Sequence, residues 1–180
     1  FDTIMGFKLF ADLKVYGAFV GTEASVDTRA GSAANTILEG AYAGGNVRHV
    51  VTITTVNPAS GQPGVVIDGF QIEKGNAIGT GSGTDGGGIW CRNTDLDIVG
   101  CILFKNKAQN GGGLYFEEGT SGFTSNNVLH IKNSEFRENS VDDTGGGIYG
   151  KELYGFVMNT KFRSNEALLQ GGGVYLKTMS

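Results

Sequence analysis

Proline, cysteine and long apolar runs are all scarce in this chain of 180 residues. With only two prolines, the chain is neither collagen-like nor a proline-rich linker. Two cysteines, Cys91 and Cys101, set no disulfide framework and leave open either a bonded pair or two buried thiols. No run of about 18 apolar residues occurs, so we expect no membrane span. The net charge of −4 argues against nucleic acid as a partner.

Glycine, in contrast, is abundant, with 31 residues against a usual share of ~7%. Four glycine triplets are each followed by an apolar and then an aromatic residue: "GGGIW" (86–90), "GGGLY" (111–115), "GGGIY" (145–149) and "GGGVY" (171–175). Their starts lie 25, 34 and 26 residues apart. This spacing predicts a repeat of about 25 residues with one insertion of about 8 or 9, placed in the polar segment 117–127.

A second phrase precedes each triplet, and apolar residues alternate with polar ones along it. Its four copies are "VVIDGFQIEKGNA" (65–77), "LDIVGCILFKNKA" (96–108), "LHIKNSEFRENSV" (129–141) and "GFVMNTKFRSNEA" (155–167). Alternation of this kind is strand periodicity, and no helical stripe accompanies it. Four columns of the alignment share their chemistry: Ile67, Ile98, Ile131 and Val157; Ile72, Leu103, Phe136 and Phe162; Gly75, Asn106, Asn139 and Asn165; Ala77, Ala108, Val141 and Ala167.

Short strands, a fixed period and the absence of helices predict an all-β fold. We expect a single-stranded, right-handed parallel β-helix, a solenoid with ~25-residue coils and about three short strands per coil. Residues 1–180 should form one domain, with irregular early coils over 1–64 and regular repeats over 65–180. The chain starts with Phe1, lacks a basic-then-apolar leader and stops partway into a coil. We therefore expect a fragment of a longer protein.

The repeat assigns roles to its columns. Asn106, Asn139 and Asn165 are expected to stack as a structural ladder of side-chain amides, starting one coil after Gly75. The first glycines of the triplets (Gly86, Gly111, Gly145, Gly171) are expected to mark a tight bend. By alternation, the aromatic residues that end each phrase should point outward: Trp90, Tyr115, Tyr149 and Tyr175. This column either stacks on sugar rings or a peptide partner, or stabilises the sheet through its own stacking.

These phrases resemble a known group, the secreted or surface parallel β-helix proteins of Bacteroidota type. Their repeats are similar to those of polymorphic outer-membrane proteins within the pectin-lyase-like superfold. The resemblance lies in "YGAFVGTE" (16–23), "TILEG" (36–40), 65–77, the four triplets, "FREN" (136–139) and "FRSN" (162–165). Ala18 and Ala41 depart from the usual Gly and Asp, and "FKNK" shifts its Asn by one position. The resemblance implies an extracellular or cell-surface location and little about a defined activity, since many members of the group are described only as adhesin-like.

Two acidic phrases are candidate catalytic sites. "NTDLD" (93–97) resembles the Asn-Thr-Asp phrase of polygalacturonase-like enzymes, and "VDDTG" (141–145) would supply a second carboxylate pair. Asp95 and Asp97 precede a strand, whereas Asp142 and Asp143 precede a glycine triplet, so we expect them at different corners of the coil. We therefore predict no catalytic residues, no metal site and no cofactor. His49 and His130 are interpreted as structural or surface residues.

Three functional hypotheses remain open. The first is a non-enzymatic, adhesin-like or structural module of the cell surface, with a glycan or a surface protein as its partner. The second is a fragment of a polysaccharide lyase or glycoside hydrolase. The third is a cargo or component of an outer-membrane secretion or surface assembly, with the secretion machinery as its partner. The fold alone does not choose among them.

Overall fold

A computed structural model describes residues 6–10, 12–54, 64–79, 81–118 and 127–177. Within these residues the chain forms 22 short strands and two single-turn 3-10 helices, Val26–Thr28 and Ala33–Asn35. The strands pair in parallel from coil to coil, apart from one antiparallel hairpin, β4 (Ala41–Tyr42) with β5 (Gly45–Asn46). The predicted parallel β-helix is therefore confirmed.

Two sheets contain the longer strands. Sheet A consists, in spatial order, of β1 (Phe7–Leu9), β6 (Val51–Thr54), β10 (Ile89–Arg92), β14 (Leu114–Glu117), β18 (Ile148–Lys151) and β22 (Val174–Lys177). Sheet B consists of β19 (Tyr154–Met158), β15 (Val128–Lys132), β11 (Leu96–Val99), β7 (Val65–Asp68) and β2 (Lys14–Tyr16).

Two further sheets complete the wall. Sheet C consists of β20 (Lys161–Arg163), β16 (Glu135–Arg137), β12 (Ile102–Phe104), β8 (Gln71–Glu73) and β3 (Ile37–Glu39). Sheet D consists of the two-residue strands β21 (Glu166–Ala167), β17 (Ser140–Val141), β13 (Lys107–Ala108) and β9 (Asn76–Ala77). The first coil is β1 to β3, the second β6 to β9, the third β10 to β13, the fourth β14 to β17 and the fifth β18 to β21.

The expectation of three strands per coil was therefore wrong, because the second to fifth coils each have four. A two-residue strand is too short to show an alternation of apolar and polar residues, so the column Ala77, Ala108, Val141 and Ala167 did not indicate a strand. The early part of the chain also forms fewer coils than its number of residues suggests. Residues 6–54 supply one coil, the hairpin and the first strand of the second coil.

The strand register reproduces the columns read from the sequence. Ile98 lies beside both Ile67 and Ile131, and Leu103 lies beside both Ile72 and Phe136. These side chains point into the coil and, as part of one continuous core, are fully buried. Removing such stacked aliphatic and aromatic groups from water is the main favourable term in folding.

Each glycine of the first triplet is required for a different reason. Gly86 has φ +71°, a left-handed conformation that side chains rarely adopt. A Cβ at Gly87 would lie 2.3 Å from the carbonyl oxygen of Lys107. At Gly88 it would lie 2.5 Å from the carbonyl oxygen of Gly113 in the next coil. The triplet thus turns the chain and lets neighbouring coils approach backbone to backbone.

The three asparagines form a ladder at the corner between sheets C and D. Asn106 Nδ2 donates to Asn139 Oδ1 at 3.1 Å, and Asn139 Nδ2 donates to Asn165 Oδ1 at 2.9 Å. Asn139 Nδ2 also donates to the carbonyl oxygen of Leu103. The ladder begins at Gly75, whose backbone N–H donates to Asn106 Oδ1 at 3.0 Å. Because Asn106 and Asn139 are fully buried, these bonds satisfy groups that water does not reach.

The last strands of sheets A and B, β22 and β19, show how much the burial of one coil depends on the coil stacked on it. Val157 and Val174 are 48% and 39% exposed, although their neighbours Ile131 and Ile148 are almost completely buried. A Cβ on Gly173 would meet only ordinary contacts, whereas on Gly147 it would lie 2.4 Å from Gly173 O. Core burial in this fold is therefore a property of coil pairs.

We predict that Asn139→Ala lowers the free energy of unfolding by roughly 2–5 kcal/mol, since it orphans the Asn106 amide groups and the Leu103 carbonyl. The matched control is Asn76→Ala, an exposed asparagine of β9, which should cost well under half as much. Urea unfolding followed by circular dichroism measures both. Equal losses in the two variants would contradict a stabilising ladder.

Cys91 and Cys101 are both buried and both free. The thiol of Cys91 lies 3.6 Å from Thr94 O, and that of Cys101 lies 3.4 Å from Ile67 O. Burial raises the pKa of both thiols, that of Cys101 to about 11. Of the two alternatives read from the sequence, the structure therefore has two buried thiols.

We predict that neither thiol reacts with Ellman's reagent at pH 8 in the folded protein and that both react after unfolding, because the reagent needs an accessible thiolate. The raised pKa of Cys101 also sets a pH dependence. Its contribution to stability is complete below the ordinary thiol pKa and is lost as the pH rises toward 11. Rapid modification of one thiol in the native protein at pH 8 would refute the assignment.

Candidate binding surfaces

The outer face of sheet A carries the predicted aromatic column. Register places Trp90, Tyr115, Tyr149 and Tyr175 side by side on four successive strands. Their neighbours along the chain point inward, as with Ile89, which is fully buried. Four residues that are 25, 34 and 26 positions apart in sequence thus form one row on the surface.

The tyrosine rings of this row stack on one another. Tyr115 and Tyr149 have ring centroids 5.0 Å apart and are within 3° of parallel, and Tyr149 and Tyr175 are 5.5 Å apart. Only 8% of Tyr115 and 9% of Tyr149 is exposed to solvent, whereas Trp90 and Tyr175 are half-buried. Since the faces of the central rings meet each other, the geometry favours the stabilising interpretation of the column. Its role in binding stays a prediction.

Trp90 has a partner that the alignment did not indicate. Its ring stacks on His49 at a centroid distance of 5.9 Å, and His49 Nδ1 lies 2.9 Å from the carbonyl oxygen of Gly86. Burial lowers the pKa of His49. These contacts give His49 a structural role, since its ring packs against Trp90 at the start of the aromatic row.

A charged row runs beside the aromatic one. Glu117 lies between Lys151, whose Nζ is 2.6 Å from Oε1, and Arg92, whose Nε is 3.7 Å from Oε2. The hydroxyl of Tyr115 donates to Glu117 Oε2 at 3.1 Å. Burial, together with the adjacent Glu117 carboxylate, raises the pKa of Tyr115. The phenol therefore stays a neutral donor, and the two rows form one network.

We predict that Tyr149→Ala lowers the free energy of unfolding by about 2–4 kcal/mol, because it removes a ring that stacks on both sides. Tyr149→Phe keeps the ring and should stay within about 0.5 kcal/mol of the parent. Thermal and urea unfolding give the comparison. A wild-type stability for Tyr149→Ala would mean that the stack contributes nothing.

The acidic phrases do not assemble into a joint site. Asp95 lies at the corner between sheets A and B, where its Oδ1 accepts the backbone N–H of Val128 at 2.8 Å. Asp142 and Asp143 lie between sheets D and A, on the other side of sheet A, and their backbone N–H groups donate to the preceding coil. The predicted separation of these carboxylates at different corners agrees with the structure.

Sequence reasoning missed a carboxylate–histidine pair on sheet B. Asp97 and His130 are register partners on β11 and β15, and Asp97 Oδ1 lies 2.9 Å from His130 Nδ1. They line an open groove of about 350 Å³ together with Lys14, Val66 and Asp95. The signal was present in the aligned phrases "LDI" and "LHI", because aligned positions become neighbours in a parallel β-helix.

An aromatic side chain lies beside His130 on the neighbouring strand, β19. Phe156 stacks on His130 with a centroid distance of 4.2 Å and remains 38% exposed. Lys132 Nζ lies 5.1 Å from the centre of the same ring. Sheet B thus presents half-buried polar groups and an exposed aromatic ring, in contrast to the buried tyrosine stack of sheet A.

Other expected features are less informative. In the described parts of the chain, no three His, Cys, Asp or Glu side chains form a group that suits a metal ion. None of the helices in those same parts is long and apolar enough to cross a membrane. Most of the predicted insertion, 117–127, lies outside the described residues. The structure describes only its two ends, Glu117 and Glu118 on one side and Asn127 on the other.

Comparison with known protein families gives a match within the regular coils. Residues 133–151, "NSEFRENSVDDTGGGIYGK", match the Chlamydia polymorphic membrane protein repeat. The matched segment includes β16, β17 and β18, and therefore the FxxN corner and one glycine triplet. No curated protein and no solved structure matches the chain. The chain thus contains a repeat similar to that of these membrane proteins.

Proposed function

We propose that this chain is part of a non-enzymatic β-helix protein of the cell surface, which acts as an adhesin-like or structural module. The observation that carries the proposal is the polymorphic membrane protein repeat at 133–151, located on two stacked coils. Stacked repeats form a solenoid with an extended surface, and the parallel pairing of sheets A, B and C gives this chain such a surface.

The packing of the β-helix wall supports a role in which its outer face binds a partner. Its inner face is filled by apolar side chains, and its corners are fastened by the Asn ladder and the glycine triplets. Its outer face on sheet A carries the stacked tyrosines and the Glu117 network. A partner such as a glycan or a surface protein would therefore meet a preformed surface, at a small entropic cost. The half-buried rings of Trp90 and Tyr175 are its aromatic contacts on this sheet.

The proposal extends to the wider resemblance noted from the sequence. A Bacteroidota-type surface protein of the pectin-lyase-like superfold would present stacked coils of this kind as one solenoid. The separation of Asp95 from Asp142 and Asp143 favours this non-enzymatic role over a polysaccharide hydrolase with a joint carboxylate site.

The test uses the full-length protein in the cells that produce it. Intact cells are treated with trypsin or with an antibody against residues 65–177, and lysed cells serve as the control for total protein. We expect the chain to be cleaved and labelled on intact cells to nearly the same extent as after lysis. Protection on intact cells, with cleavage after lysis, would exclude the surface location.

A separate assay addresses the enzymatic alternative. Purified protein is incubated with a panel of neutral and acidic polysaccharides, and released reducing ends and unsaturated products are measured. We expect no release above a heat-denatured control. Release that is abolished by Asp95→Asn or Asp97→Asn but not by Asp142→Asn would replace the present proposal with a carbohydrate-cleaving function.

A further inference from the structure

The groove on sheet B contains hydrogen-bonding groups that the fold does not use. Lys14, Val66, Asp97, His130 and Phe156 form one outward row across five coils, although they are spread over most of the chain. The same alternation buries their chain neighbours, such as Ile67 and Ile98. The row is therefore a product of coil stacking and not of a local motif.

The Asp97–His130 contact determines the polarity of the groove. A carboxylate oxygen only accepts, so His130 Nδ1 carries the proton and donates across the 2.9 Å contact. In the neutral imidazole, Nε2 is then an acceptor, and the second oxygen of Asp97 is another. Among the described residues, neither these two atoms nor Lys14 Nζ has a protein partner. The groove thus offers an oriented carboxylate acceptor, an imidazole nitrogen that accepts in the neutral ring and donates in the protonated one, and a flexible donor.

The charges of the groove select the type of ligand. Asp95 and Asp97 would repel a phosphate or a sulfate, and Lys14 opposes the entry of a cationic side chain. Hydroxyl groups both donate and accept, and a pair of neighbouring hydroxyls can bond to Asp97 and to His130 at once. Phe156 stacks on His130 just beyond the residues that line the groove, so its exposed ring edge is available to the C–H groups of a sugar that extends past His130.

The size and openness of the groove agree with this assignment. Its volume of about 350 Å³ lies at the lower end of the range for small-molecule sites, ~300–1,000 Å³. The side chains of His130 and Asp97 are 33% and 43% exposed, so a ligand reaches them without a change in the fold. An open groove of this size accommodates one sugar unit while the rest of a glycan extends along the wall.

The geometry points to a binding site for a neutral, polyhydroxylated sugar residue in the sheet B groove, with Asp97, His130 and Lys14 as its polar contacts and Phe156 as its aromatic flank. This site is distinct from the aromatic row of sheet A. It gives the adhesin-like role a specific ligand class and in that respect rests on the proposed function.

The test begins with the purified chain on an array of neutral and acidic glycans. Saturation-transfer NMR and titration with the methyl glycosides of glucose, mannose and galactose then follow. We expect binding of at least one neutral glycoside. Asp97→Asn and His130→Ala should each weaken it at least tenfold, because each removes a polar contact of the groove or its orientation. Asp142→Asn, at a remote corner, is the matched control and should stay within twofold.

A fourth variant keeps the test valid if the first two fail to fold. Lys14 is exposed on the first coil, so Lys14→Ala should leave the unfolding midpoint unchanged and still weaken binding several-fold. Three results would overturn the inference: no neutral glycoside binds, binding is confined to acidic glycans, or Lys14→Ala and the folded groove variants bind as the parent does. Because these measurements use purified protein, their failure leaves the surface-exposure result untouched.

Discussion

Coil-to-coil stacking at the ~4.8 Å spacing of parallel strands is the constraint on which the whole molecule depends. At this distance a Cβ is not tolerated where two corners meet, which explains Gly87 and Gly88. The buried amides of Asn106 and Asn139 are then satisfied by the equivalent asparagine of the next coil and by a backbone carbonyl oxygen of the preceding one. The same spacing brings Tyr115 and Tyr149 to a centroid distance of 5.0 Å. The glycines at the corners, the buried amides and the surface stack of tyrosines are therefore all consequences of the same spacing between coils.

This constraint also explains how the chain builds surfaces from distant residues. Equivalent positions of successive coils become neighbours, so Asp97 and His130 meet although 33 residues separate them. Where the outward residues of successive coils are identical, as the tyrosines are, their side chains stack and bury one another. A row of unlike residues leaves groups unpaired, as on sheet B. Surfaces available for recognition thus arise where the repeat is least regular in its outward positions.

Much of the fold could be predicted from particular residues. The columns Ile67, Ile98, Ile131 and Ile72, Leu103, Phe136 are register partners in the structure, because apolar alternation and a fixed period leave few other pairings. Sheet D could not be predicted, since strands of two residues such as Lys107–Ala108 carry no period. Positive φ angles at Lys105 and Glu138, both 53°, also gave no signal, because neither residue type indicates a left-handed turn.

The amino-acid sequence by itself determined the class of fold, the length of the coil and the identity of the stacking columns, because these depend on periodicity alone. It also separated the acidic phrases 93–97 and 141–145 onto different corners. Only the tertiary structure decided which outward side chains are buried against their neighbours and which remain accessible to solvent. The burial of Tyr115 and Tyr149 and the pairing of Asp97 with His130 depend on contacts between coils, and the distances between side chains on adjacent coils are set by stacking, which no local pattern records.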